Sequence, residues 1–271
     1  SGTFADKNVA TGKGVTIVGH TITGDDAGNY NLVQQAGITA DIAQADLSVS
    51  GLSVANKVYD ADVSASLAGT AAVTALAGDT VVIGGTAAGI FDDKNVAAGI
   101  GVTISGYTIT GEDAVNYNLI QQTGVTANIT QADLSVSGLS VTNKVYDAGV
   151  VASLAGTAAV AALAGDTVVL GGTVSGTFDD KNVATGKGVT IVGHTITGDD
   201  AGNYNLVQQA GITADITKAD LNVSGVSALN KVYDAGVVAN LAGTAVITTL
   251  GDDSVVLNGT AVGSFEDKHA A

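Results

Sequence analysis

Apolar and polar positions alternate along this chain in short stretches, the period-two pattern of half-buried strands. Val15 and Ile17, then Ile22, then Tyr30 and Leu32 mark one such series, and its phase slips around Gly19. A slip of this kind predicts a bulge or bend, because one extra residue turns the following side chains to the other face. A second series runs through Leu67, Val73, Leu76, Val81 and Ile83 and ends near Phe91. The alanine-rich stretch 158–164 has the composition of a short helix stopped by Gly165. Its later counterpart carries Val246, Ile247, Thr248 and Thr249, whose β-branching disfavours helix, so strand or loop is predicted there.

The pattern repeats. Tyr59 recurs as Tyr146 and Tyr233, Tyr30 as Tyr117 and Tyr204, and Phe4 as Phe91, Phe178 and Phe265, at a constant interval of 87 positions. That interval exceeds the ~20–50 residues of common solenoid units and approaches the ~100 of a β-sandwich domain. Where copies differ, the differences are informative: Val18 becomes Ser105, which predicts a solvent-facing position, while Val15 and Ile17 become Val102 and Ile104. At the end of each copy the apolar face reverses. Ile38, Ala40 and Ile42 are even-numbered, Leu47 and Val49 odd-numbered, with the switch at Gln44-Ala45-Asp46. Boundaries are therefore expected near Asp46, Asp133 and Asp220. This divides the chain into the back portion of a repeat (1–45), two whole repeats (46–132 and 133–219) and the front portion of another (220–271). No Gly/Ser- or Pro-rich linker intervenes, which predicts a stiff rod of closely touching beads.

Glycine is abundant at 37, proline is absent, and Val, Ile and Thr fill the periodic stretches. The expected fold is all-β, a tandem array of immunoglobulin-like β-sandwich repeats forming an elongated rod, with a β-solenoid as the alternative. The 26 acidic residues against 10 lysines, and the net charge of -16, exclude a nucleic-acid partner and keep an exposed fibre soluble. Cysteine is absent, so there is neither a disulfide framework nor a thiol metal site. No stretch approaches the ~20 apolar residues of a membrane span. With no methionine and a first residue that falls inside a repeat, the chain reads as a segment of something longer.

The recurring Asn56-Lys57-Val58-Tyr59-Asp60 is followed by Leu67-Ala68-Gly69-Thr70, Gly78-Asp79-Thr80-Val81, Phe91-Asp92-Asp93-Lys94-Asn95-Val96 and Gly111-Glu112-Asp113-Ala114-Val115-Asn116-Tyr117. Together these resemble the YDG-type repeats of bacterial surface proteins, in large secreted adhesins of the filamentous-haemagglutinin kind. The resemblance implies an exported, extracellular protein of the bacterial cell surface, concerned with cell adhesion or biofilm, and carries no catalytic residues. The chain departs from the family pattern in one place. The glycine after Tyr-Asp is Ala61, Ala148 and Ala235.

Any chemistry needed by every repeat must survive in every copy. His20 and His194 correspond to Tyr107, and Gly12-Lys13-Gly14 becomes Gly99-Ile100-Gly101, so neither a histidine site nor a phosphate loop recurs. No nucleophile-base set is shared, and an enzyme is not expected. One oxygen-rich loop does recur, as Asp25, Asp26 and Asn29, as Glu112, Asp113 and Asn116, and as Asp199, Asp200 and Asn203. Calcium takes about six to eight such oxygens, which makes calcium the one candidate cofactor; Asp and Asn also build turns unaided. Lys57, Lys144 and Lys231 invite a crosslink to a neighbouring Asn or Asp, against a plain reading in which the stem covers Tyr59 and the amine is solvated.

The expected function is structural: stalk or fibre repeats of a bacterial adhesin or surface filament, spacing a binding tip from the cell. Expected partners are neighbouring repeats or identical chains in a fibre, with host or biofilm ligands bound through other domains. Two alternatives remain, a head-to-tail filament subunit completed by strand exchange between the end portions, and a glycan- or ice-binding module. The residues expected to matter are Tyr59, Tyr146 and Tyr233, Phe91 and Phe178, and Tyr30, Tyr117 and Tyr204.

Overall fold

The computed structural model describes residues 1–269. Its regular structure is strand throughout, interrupted only by single 3-10 turns at Ala27–Asn29, Ala114–Asn116 and Ala201–Asn203. It divides into two compact units. The first comprises Ser1–Ala132 with Leu163–Asp166 and Gly202–Tyr204, and the second comprises Asp133–Ala162, Thr167–Ala201 and Asn205 onward.

In the first unit a five-stranded sheet has the order Lys57–Val58, Val125–Thr130, Ala97–Thr110, Val82–Phe91, Ser64–Ala65. The long central strands pair antiparallel, Val102 opposite both Phe91 and Val125. Ser50–Val54 pairs with Leu67–Ala72, and Ala45–Ser48 pairs parallel with Tyr117–Ile120. Gly2–Phe4, Ala10–Ile17 and Ile38–Ile42 form a separate three-stranded sheet. Antiparallel ladders of this kind cannot stack as the parallel coils of a solenoid.

The second unit repeats the plan with Lys144–Val145, Ile212–Thr217, Ala184–Thr197, Val169–Phe178 and Val151–Ala152. Its core shows the sandwich-like layering directly. Phe178, Val189, Ile191, Ala214 and Ile216 of the sheet are covered by Leu139, Val141 and Leu154 from the facing pair Ser137–Val141 and Leu154–Ala159. Phe91 and Phe178 are each 2% exposed, the depth at which truncation of an aromatic costs about 3–5 kcal/mol.

The phase slip expected at Gly19 is a bulge at its counterpart Gly106. The ladder register shifts between Ser105 and Tyr107, Gly106 has φ 97, and a Cβ there would lie 2.3 Å from the Thr86 carbonyl oxygen. Side-chain atoms are forbidden by both the backbone and the neighbouring strand. Ser105 and Val192 face solvent as the exchange with Val18 suggested. The alanine-rich stretch is strand at Leu154–Ala159 and then loop.

Two of the tyrosines expected to matter are exposed. Tyr30 is 74% exposed and Tyr233 61% exposed, whereas Tyr117 and Tyr204 are 5% and 4%. Tyr117 is held by the Asp79 carboxylate and the Leu76 N–H, from the front portion of its repeat.

Candidate functional site: a recurring carboxylate lock

Asp166 lies in the Gly-Asp-Thr turn after the loop 160–165, and its side chain is fully buried. A buried carboxylate is tolerated only when its oxygens are paired. Here Tyr204 Oη donates to it at 2.6 Å and Tyr59 Oη lies 3.0 and 2.9 Å from its two oxygens. Lys94 Nζ is 3.2 Å away. Tyr59 and Lys94 are 107 and 72 positions before Asp166, so they come from the preceding copy, while Tyr204 comes from the same copy as Asp166.

The surrounding contacts hold each donor in place. Tyr204 Oη accepts the Leu163 N–H at 2.9 Å while donating to Asp166, and the Tyr59 and Tyr204 rings meet edge to face at 5.5 Å. Lys94 Nζ sits 6.0 Å over the Tyr59 ring. Asn203 closes the flank. Its Oδ1 accepts the Val96 N–H and its Nδ2 donates to Asn95 Oδ1, both at 2.9 Å. Burial pushes the Asp166 carboxyl up, but Tyr204, Tyr59 and Lys94 outweigh it and hold it below the ordinary range. Burial, with the Asp166 charge added, pushes the Tyr204 phenol up to about 12, so it remains a donor at neutral pH.

Part of this arrangement occurs earlier in the first unit. Lys7 pairs with Asp79 at 2.5 Å and Asp113 at 2.8 Å, Tyr117 Oη donates to Asp79 at 2.6 Å, and Asn116 Oδ1 accepts the Val9 N–H. In the second unit Tyr146 Oη and Lys181 Nζ reach Asp253 at 2.6 and 2.5 Å. Beside them lies a cavity of about 290 Å³ lined by Tyr146, Val183, Leu221, Leu250 and Asp253.

The oxygen-rich loops proposed for calcium belong to this site. Asp113 Oδ2 and Asp200 Oδ2 accept the Thr80 and Thr167 N–H groups, and Asn116 and Asn203 hold the backbone of the neighbouring copy. Glu112 and Asp199 lie one position before those aspartates, and Asp25, Asp26 and Asn29 surround the first 3-10 turn, where the Asn29 N–H donates to the Asp26 carbonyl. Among the described residues no group of three or more His, Cys, Asp or Glu is arranged to hold a metal ion. Sequence reasoning passed over Asp79, Asp166 and Asp253 and Lys7, Lys94 and Lys181 as site residues; their recurrence in successive copies was the available signal.

A second recurring structure surrounds the Tyr-Asp turn. The Lys144 amine is not solvated: it donates to the Gly149 and Val151 carbonyls and pairs with Asp147 at 2.7 Å, with its cation 5.6 Å over Phe178 rather than over the tyrosine. Lys57 and Lys231 do the same over Phe91 and Phe265. Ala61, Ala148 and Ala235 have φ 64, 60 and 62, the positive-φ non-glycine residues among those described. The turn keeps the left-handed backbone that a glycine there would adopt freely, and alanine bears the strain. His194 is buried, and Gln208 pairs with its backbone N–H and carbonyl as Gln121 does with Tyr107, so the exchange of ring type leaves these bonds intact.

No curated protein and no solved structure matches the chain. The YDG domain matches it four times, over residues 1–38, 43–125, 130–212 and 217–271, and the chain belongs to the YDG domain family.

Proposed function

We propose that these YDG repeats form the stalk or fibre of an extracellular bacterial adhesin or surface filament, spacing a binding segment from the cell. On this reading the repeating units are 46–132 and 133–219, with portions of further units on either side. The observation that carries it is the Asp166 lock. It uses a buried, fully paired carboxylate to join one copy to the next. A junction that recurs at a fixed interval lets copy number set length without disturbing the rest, as in other repeat arrays. The acidic surface suits a solvated fibre, and the work assigned is spatial rather than chemical. The test is small-angle scattering on chains of two, four and eight repeats, with antibody labelling of intact source cells. Maximum dimension rising linearly with repeat number, with surface label, supports the reading; compact particles or label only after lysis would overturn it.

A further inference from the structure

The first and last segments of a repeat run side by side, in the same direction, in nearly constant register. Ala45 to Ser48 pair with Tyr117 to Ile120, and the Val49 N–H continues to the Ile120 carbonyl. Gln122 then brackets Leu52, accepting its N–H at 2.9 Å and donating to its carbonyl at 2.8 Å. Further along, the Asn128 N–H donates to Asn56 Oδ1, and Lys57 and Val58 pair parallel with Ile129 and Thr130. Most of these contacts join residues 72 apart, and Gln44 adds bonds to the Val115 and Tyr117 carbonyls at the near end. The second unit keeps the same seam through Asp133 and Asn205, Leu139 and Gln209, Asn143 and Asp215, and the pair of Lys144 with Ile216.

Direction decides what this seam does under load. The chain enters the repeat at Gln44, at one end of the seam, and leaves after Thr130, at the other. Tension along the chain therefore draws the two strands past each other, and every bond between them is loaded together. Had the entering and leaving strands been antiparallel, both pulling points would lie at one end and the bonds would open singly. We infer that each repeat is a force-bearing clamp, with residues 45–58 and 117–130 as a shear seam that resists extension of the array. The side-chain bracket of Gln122 on Leu52 fits this role, because it keeps the two segments joined where Ser50–Val54 turns away to pair with Leu67–Ala72. The inference deepens the stalk reading: a tether between a cell and an attached surface carries tension.

The chain has no cysteine, so single-molecule pulling points can be placed at will. Ala43→Cys with Ser135→Cys loads the first complete repeat across the ends of its seam. Ala43→Cys with Val115→Cys loads the same seam from one end. All three positions are exposed, so the substitutions are accommodated, and matched melting curves verify it. The expected result is a rupture force several-fold higher for the 43/135 pair than for the 43/115 pair at equal loading rate, since forced rupture follows the unfolding barrier. Equal forces, or a higher force for 43/115, would overturn the clamp. Solution length is read separately by scattering, so a failed clamp leaves the spacer reading intact, and a failed length test leaves the clamp intact.

Discussion

The Tyr204 hydroxyl donates to the buried Asp166 carboxylate at 2.6 Å and at the same time accepts the Leu163 N–H at 2.9 Å. One oxygen thus satisfies a charge and a backbone donor. Tyr204→Phe removes both bonds and leaves the Leu163 N–H without this acceptor. The expected cost is about 1–3 kcal/mol, measured by denaturant titration, at unchanged dependence on denaturant concentration. A change within error would show that water replaces the hydroxyl.

Acid should weaken the lock. The Asp166 carboxyl is held below its ordinary value of 3.8, so its contribution is present above that value and is lost as the pH falls through the lower folded value. Several other aspartates shift the same way, among them Asp79 and Asp253. The informative quantity is therefore the difference between the parent and Asp166→Asn. That difference should be constant from neutral pH to about pH 4 and shrink below it. A difference independent of pH down to acid unfolding would contradict the assignment.

Alkali acts through the phenol. Tyr204 is raised from 10.0 to about 12, so its contribution is complete below pH 10 and is lost as the pH approaches 12. Tyrosinate absorbance should show a late-ionising fraction that shrinks in Tyr204→Phe.

Glycine should improve the Tyr-Asp turn. A left-handed alanine costs about 1–2 kcal/mol, and the greater unfolded-state freedom of glycine offsets roughly 0.4–1 kcal/mol of the relief. Ala61→Gly, Ala148→Gly and Ala235→Gly are each expected to stabilise by up to about 1 kcal/mol, and Ala148→Val to destabilise, read as shifts in melting temperature. Destabilisation by all three glycines would mean that the turn is not strained.

The bulge gives the opposite sign. Gly106→Ala places a methyl group against the Thr86 carbonyl at a positive φ, and Gly193→Ala does so against Thr173. Each should destabilise by more than about 1 kcal/mol and produce a visible loss of cooperativity in thermal unfolding.

Calcium is expected to leave the melting temperature where it is, because Asp113, Asn116, Asp200 and Asn203 already spend side-chain oxygens on backbone N–H groups. A rise on adding millimolar calcium, reversed by chelator, would establish a site at the recurring loops.

Much of the fold was legible because it is encoded locally. Alternation at Val102 and Ile104, the slip at the glycine preceding Tyr107, and the β-branched counterpart of the alanine-rich loop each point to strand without reference to anything distant. The lock was not legible, for a physical reason. A lone aspartate between glycine and threonine has the sequence appearance of a turn, and nothing nearby indicates that its carboxylate is buried against a tyrosine 107 positions earlier. Burial also differs between identical letters. Tyr30 and Tyr204 share their neighbours in sequence, yet only Tyr204 has a carboxylate turn beside it. The lysine of the Tyr-Asp turn was misread because its true cover, Phe178 for Lys144, lies far along the chain.

The central claim is that one copy is joined to the next through Asp166, and a double-mutant cycle between Tyr59→Phe and Asp166→Asn addresses it most directly. The account predicts a coupling energy between about 0.5 and 3 kcal/mol, the range for side chains within one hydrogen-bonded network. Additive effects, with no coupling between residues of successive copies, would contradict it.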